Sequence, residues 1–223
     1  MNKQKKHLQL VNIRALAIVL VVLGHSIILY SNTWNLYETN NQVPILDCFK
    51  RCIDIIQMPL FFSLSGYLFV FSRDKRNINE LFLNKVKRLL IPFIVVACIF
   101  MVPLRLLVRY PGYEGKSYAF IIMHKIINST DVGHLWFLPA LFIIFILSKI
   151  ILDLCRLTGS LEKISDIILF FIGVILYFEG WKIGFGVSSL LDAFSYFMYF
   201  SLGYMICFRR NFIKKYFDLF MHA

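Results

Sequence analysis

Asn12-Ile13-Arg14-Ala15-Leu16-Ala17-Ile18-Val19-Leu20-Val21-Val22-Leu23-Gly24-His25-Ser26 reads as a membrane-spanning helix with two ionisable side chains in it. A hydrocarbon core about 30 Å thick takes roughly 20 helical residues, and the apolar stretch over 12–30 meets that need. Working outward, the same pattern recurs over 54–72, 89–109, 135–152, 165–180 and 189–208. The fifth of these is short, its unbroken apolar part running only from Ile167 to Phe178. That length fits a helix tilted among neighbours or set in thinned bilayer. A further apolar run, Tyr118 to Ile127, is too short to span and contains His124 and Lys125, so an interfacial or re-entrant segment is expected there. The expected fold is all-α: a polytopic membrane helical bundle of about six transmembrane helices, forming a single domain over 1–223.

Composition excludes the main alternatives. Of the 223 residues, 59% are hydrophobic and only 17% charged, too few to clothe a soluble core of this size. The mean hydropathy of +0.70 agrees. A net charge of +11 would suggest nucleic acid in a soluble protein, but the basic residues fall between the apolar runs and make no compact face with interleaved aromatics. Nucleic acid is therefore not an expected partner, and membrane lipids are. Fifteen Lys and Arg residues, from Lys3 to Lys215, lie in segments on one side of the six spans, against Lys50, Arg51, Lys116, Lys125 and Lys182 on the other. This bias places both termini in the cytoplasm. Met1 to His7 is a charged start, and no small-residue cleavage site follows the first apolar run, so a retained signal anchor is expected. Cys48 and Cys52 are four apart with no second pair, so no metal site is expected. The five dispersed cysteines read as small buried hydrophobes. Gly66, Gly173 and Gly203, with Ser63, Ser65 and Ser201, are small residues that let helices approach closely.

Arg14 and His25 are eleven residues apart. At 100° per residue they return to within roughly 20° of one another, about 16 Å apart along the axis. An ionisable group deep in a bilayer is costly unless it faces the bundle or a wet cavity, so the shared face points to function. The permanently charged guanidinium suits the phosphate or carboxylate of an anionic donor. Imidazole, as a residue type, exchanges protons near neutral pH and can take one from a hydroxyl. The separation suits a long donor such as acyl-CoA, whose charged head and thioester one residue cannot serve together. Ser26 diverges from His25 by about 100° and is not its nucleophile.

These residues carry a resemblance. Arg14, ten intervening residues and His25 resemble the signature of acyltransferase family 3, integral membrane enzymes that O-acylate surface polysaccharides and other acceptors. Gln57-Met58-Pro59-Leu60-Phe61-Phe62-Ser63-Leu64-Ser65-Gly66-Tyr67-Leu68-Phe69 resembles the family's proline, aromatic and Ser-Gly segment. Lys85-Val86-Lys87-Arg88-Leu89-Leu90-Ile91-Pro92 resembles its basic run entering the third span, and His134-Leu135-Trp136-Phe137-Leu138-Pro139 its Trp-Phe start of a later one. Phe200-Ser201-Leu202-Gly203-Tyr204 is similar to another span ending.

The resemblance implies an acyltransferase with no bound cofactor that uses acetyl-CoA or another acyl-CoA as donor and a glycan or lipid-linked sugar as acceptor. It implies a multi-pass protein of the cell membrane, expected to be a bacterial plasma membrane. His25 and Arg14 would be the catalytic pair, Arg14, Arg88 and Lys85 the donor-binding residues, and Gln57, His134 and Trp136 substrate-side residues. A histidine often stands at the position of Gln57 in the polysaccharide branch; glutamine hydrogen-bonds both ways but cannot act as a base. The family continues through further spans, so 1–223 is expected to correspond to its N-terminal portion. Two other readings use the same residues: a transporter or channel lined by Arg14 and His25, and an inactive family member. Among the loop acids, Glu38, Asp47, Asp54 and Asp131 are equivalent candidates for orienting a sugar or a histidine.

Overall fold

The computed structural model describes residues 3–30, 43–183, 187–210 and 212, with the side chains of 3–10 and Leu29 left aside. Among them there is no strand. Helix α1 is Lys3–Ile27 and α2 is Pro44–Phe69. Helix α3, Ile78–Leu107, α4, Tyr118–Ile127, and α5, Phe137–Leu157, follow. Helices α6, Ser165–Ile183, and α7, Ser188–Phe208, complete the series. Five stretches are long and apolar enough to cross a membrane: α2, α3, α5 with the turn Gly133–Trp136 before it, α6 with the turn before it, and α7. The first expected span is carried by the shorter apolar stretch Val11–Ile27, continued by a 3₁₀ turn at Ile28–Tyr30. Large apolar side chains cover the outside, among them Ile99, Leu107, Leu157 and Trp181, each at least 70% exposed, which suits lipid rather than water.

Several helices begin before their apolar cores. Helix α2 starts at Pro44, so Lys50 and Arg51, read from the sequence as loop residues, are helical. Cys48 and Cys52, expected to be buried, are exposed on the same helix, whereas Cys155 and Cys207 are buried within α5 and α7. Helix α3 starts at Ile78 because Asn77 and Glu80 form a capping box, the Asn77 side chain accepting from the Glu80 N–H at 2.8 Å. The run Lys85 to Arg88 is therefore part of a helix and not a connection. Glu38 and the end of the chain after Phe212 lie outside the described residues.

Proline shapes α3. Pro92 and Pro103 each lack the N–H that an α-helix needs, and each stands two residues past the end of a π turn, Val86–Leu90 and Ala97–Met101. In these turns Ile91 N–H donates to Val86 O, and Val102 N–H to Ala97 O. The extra residue per turn lets the helix run on through both prolines.

The described chain falls into two compact units, with residues 1–65 in the first and 66–223 in the second, divided within α2. In the first, α1 meets α2 at Gly24, where a Cβ would lie 3.1 Å from Gln57 Oε1 and 3.2 Å from Ile53 Cγ2. In the second, α6 and α7 run antiparallel in a register set by small residues. Asp166 pairs with Arg209, Gly173 faces Met198 and Ser201, and Gly180 faces Phe194. The α6 positions recur every seven residues, the repeat of two helices kept in continuous contact. Gly66 lies against the backbone carbonyl of Phe200. Beside it Phe69, Phe145 and Phe200 form an aromatic core with ring centroids 5.2 to 5.7 Å apart.

A second core gathers Phe93, Ala97, Met101, Tyr113, Ile121 and Leu135, and so pins the connection after α3 back onto that helix. Arg105 locks it. Its guanidinium donates to the Tyr113 hydroxyl at 3.0 Å, to Asp131 Oδ1 at 2.8 Å and to the Asp131 carbonyl at 3.1 Å. Burial holds the Tyr113 phenol above its ordinary pKa, which keeps it a neutral hydroxyl. Asp131 is thus a structural anchor. The ammonium of lysine cannot reproduce this fork. Arg105→Lys is expected to cost about 1–2 kcal/mol, read as a lower thermal midpoint in detergent; an unchanged midpoint would contradict the anchor.

Candidate functional site

In the first unit, Arg14 and His25 stand on one uninterrupted helix, α1, with Arg14 exposed and His25 half-buried. The separation inferred from the sequence, three turns and about 16 Å, is therefore retained. His25 Nδ1 lies 2.8 Å from the Val21 carbonyl, one turn back. A carbonyl can only accept, so Nδ1 carries the proton and Nε2 is the basic nitrogen of the neutral ring. Ser26 hydrogen-bonds to the Val22 carbonyl at 2.9 Å, turned to another side of the helix. Ala17 and Gly24 are buried between Arg14 and His25, whereas Val19, Val22 and Leu23 are exposed, so both residues share the helix with a plainly lipid-like outer face.

Next to Gly24, α2 presents three polar residues a turn apart. Lys50 is fully buried and Gln57 is 4% exposed. Lys50 Nζ lies 2.5 Å from Asp54 Oδ1, and Gln57 Nε2 donates to the same oxygen at 2.7 Å. Asp54 was one of four equivalent acids in the sequence, and Lys50 was read there as a loop cation. Helical spacing of 50, 54 and 57 was the available signal.

In the second unit, Lys85 points its ammonium at the Phe145 ring, 3.1 Å from the centroid, a cation–π contact inside the aromatic core. Arg88 is exposed in the π turn one helical turn further on. His134 and Trp136 sit on the 3₁₀ turn before α5, His134 exposed and Trp136 packed on Tyr196 of α7 with centroids 5.2 Å apart. The residues singled out in the sequence thus form two local groups: Arg14, His25 and Gln57 in one unit, Lys85, Arg88, His134 and Trp136 in the other.

The second unit also holds a small charged cleft that the sequence did not disclose, lined by Arg73, Asp74, Lys149, Asp153, Arg156, Glu162 and Ser165. Its charges are matched. Lys149 Nζ donates to Asp153 at 2.8 Å and to the Arg73 carbonyl at 3.0 Å, and Arg156 pairs with Asp74 at 2.9 Å. Burial works against the charged Arg73 side chain, but Tyr204 and Asp74 more than offset it and raise its pKa. Residues from three separate stretches meet here, which no local pattern reveals.

The fold and these groups define a helical membrane protein with a half-buried histidine and an arginine on one helix. The family model described as an acyltransferase domain, acyltransferase family 3, matches residues 8–221, and the chain belongs to that family of membrane acyltransferases. No curated protein and no solved structure gave a match.

Proposed function

We propose that the protein moves an acyl group, acetyl being the expected one, from cytoplasmic acyl-CoA to a hydroxyl of a cell-surface glycan or lipid-linked sugar. The observation that supports this reading is the His25–Val21 contact. It fixes the tautomer that leaves Nε2 basic, on the helix that carries Arg14 three turns toward the N-terminus. The bias of basic residues puts Arg14 nearer the cytoplasm, where an anionic donor enters.

In this reading Nε2 of His25 takes the proton of the acceptor hydroxyl as its oxygen attacks the thioester carbonyl. The C–O bond forms, the C–S bond breaks, and the imidazolium returns the proton to the leaving thiolate, so that CoA departs as the thiol. Arg14 holds a phosphate or carboxylate of the donor through its planar fork. Arg88, exposed in its π turn, is a second donor contact, with Lys85 set behind it on Phe145. The family resemblance adds Gln57, His134 and Trp136 as acceptor-side residues. Acyl-CoA is a substrate, and no resident cofactor enters the scheme.

Membrane vesicles holding the protein, given acetyl-labelled acetyl-CoA, are expected to move label into a glycan or lipid fraction. Label that crosses the bilayer without any transfer would favour a transporter instead. Arg14→Lys is expected to raise the KM for acyl-CoA about tenfold with a smaller change in kcat; an unchanged KM would remove Arg14 from donor binding.

A further inference from the structure

Two buried oxygens in the first unit, Asp54 Oδ2 and Gln57 Oε1, meet no hydrogen-bond donor among the described residues. Their orientation follows from the chemistry of their neighbours. Asp54 Oδ1 already takes hydrogens from Lys50 Nζ at 2.5 Å and Gln57 Nε2 at 2.7 Å. A carboxylate oxygen only accepts, so the Gln57 amide must turn its nitrogen to Asp54 and its carbonyl oxygen away. That oxygen faces α1, where a Cβ on Gly24 would stand 3.1 Å from it. Asp54 and Gln57 are three residues apart and share a face of α2. Gln57 is 4% exposed and the Asp54 side chain 22%, and the two unpaired oxygens themselves are buried.

A buried acceptor without a donor costs about 1–3 kcal/mol, and native proteins pair nearly all such groups. Charge decides which donor fits. The Lys50 ammonium already lies against the Asp54 carboxylate and opposes the approach of a second cation. What the two oxygens lack is hydrogen on a neutral donor. Adjacent acceptors on one helix face suit adjacent hydroxyls, the pattern of a sugar ring.

We infer that Asp54 and Gln57, held in place by Lys50, form an accepting site for the hydroxyls of a sugar. The inference rests on the transferase reading and adds the residues that bring the sugar beside His25, the neighbour of Gly24. Asp54 and Gln57 are positioning residues: they take hydroxyl hydrogen bonds and leave proton transfer to His25.

The test uses the full chain in lipid nanodiscs, with tritiated octyl β-glucoside as probe and no acyl-CoA present. Saturable binding is expected, displaced by unlabelled octyl β-glucoside but not by its per-O-methylated form, which has the same tail and no hydroxyl to donate. Gln57→Met and Asp54→Asn are each expected to weaken binding about tenfold or more, while Cys52→Ala, exposed on the same helix, leaves it unchanged. Equal displacement by both glucosides would overturn the site using the unmutated protein alone, whatever becomes of the variants. Unaltered binding in both folded variants would overturn it too, as would binding of water only, with no saturable glucoside. Transfer from labelled acetyl-CoA, assayed in parallel, separates the two ideas. Hydroxyl-dependent binding without transfer supports this site and removes the transferase reading; transfer with an unchanged glucoside KM in both variants removes this site and keeps that reading.

Discussion

Replacing His25 with alanine is expected to abolish acyl transfer, by a factor on the order of 10² to 10⁴, the range of a lost general base. The protein should still accumulate in the membrane at its normal level. His25 is half-buried, and its Nδ1 is bonded to a carbonyl of its own helix at 2.8 Å. Initial rates in vesicles, set beside abundance by immunoblot, give the answer. A variant with normal rates would end the assignment of His25 as base. One that disappears from the membrane would show a structural histidine. Cys52→Ala in α2 is a suitable control for handling losses.

The second large effect concerns assembly. A Cβ on Gly66 would overlap the Phe200 carbonyl, which is backbone and cannot rotate aside. Gly66→Ala must therefore push α2 and α7 apart at this point, at the edge of the Phe69, Phe145 and Phe200 core. We expect a loss of about 3 kcal/mol or more, the upper part of the overpacking range. It should be read as a much lower thermal midpoint and early aggregation in detergent. Gly173→Ala should cost less, since one of its two nearest neighbours is the movable Ser201 Oγ at 2.8 Å. Ser65→Ala should cost little, as that hydroxyl bonds only within its helix, to the Phe61 carbonyl at 3.0 Å. If Gly66→Ala melted with the unmutated protein, the close approach of α2 and α7 would be wrong.

Much of this architecture is legible without coordinates, because apolar run length is a direct measure of bilayer crossing. The runs near 140, 170 and 200 gave helices whose apolar centres coincide with α5, α6 and α7. Helix starts were legible less well. Hydropathy marks where lipid ends and not where hydrogen bonding ends, so Lys50 and the Lys85–Arg88 run were placed in connections although both are helical. The Asn77–Glu80 capping box was the signal for the early start of α3. Likewise the two prolines of α3 foretold a missing donor, but not that a π turn would absorb each one.

The sequence by itself determined the class of the fold, the family and the shared face of Arg14 and His25. The family rests on a resemblance of motifs in order along the chain, whereas the other two depend on local periodicity and composition, which a single helix expresses whatever surrounds it. Tertiary structure decided which polar residues meet. Arg105 reaches Asp131 across 26 positions, Arg209 reaches Asp166 across 43, and Arg156 reaches Asp74 across 82. Such pairs arise because buried charge must find a partner wherever the packed helices bring one. The pairing that ties Lys50 to Asp54 lies within one helix, yet its meaning also came from packing. Only the burial of Lys50, and the approach of Gly24 to Gln57, set Asp54 apart from the other three acids, as the partner of a glutamine packed on α1.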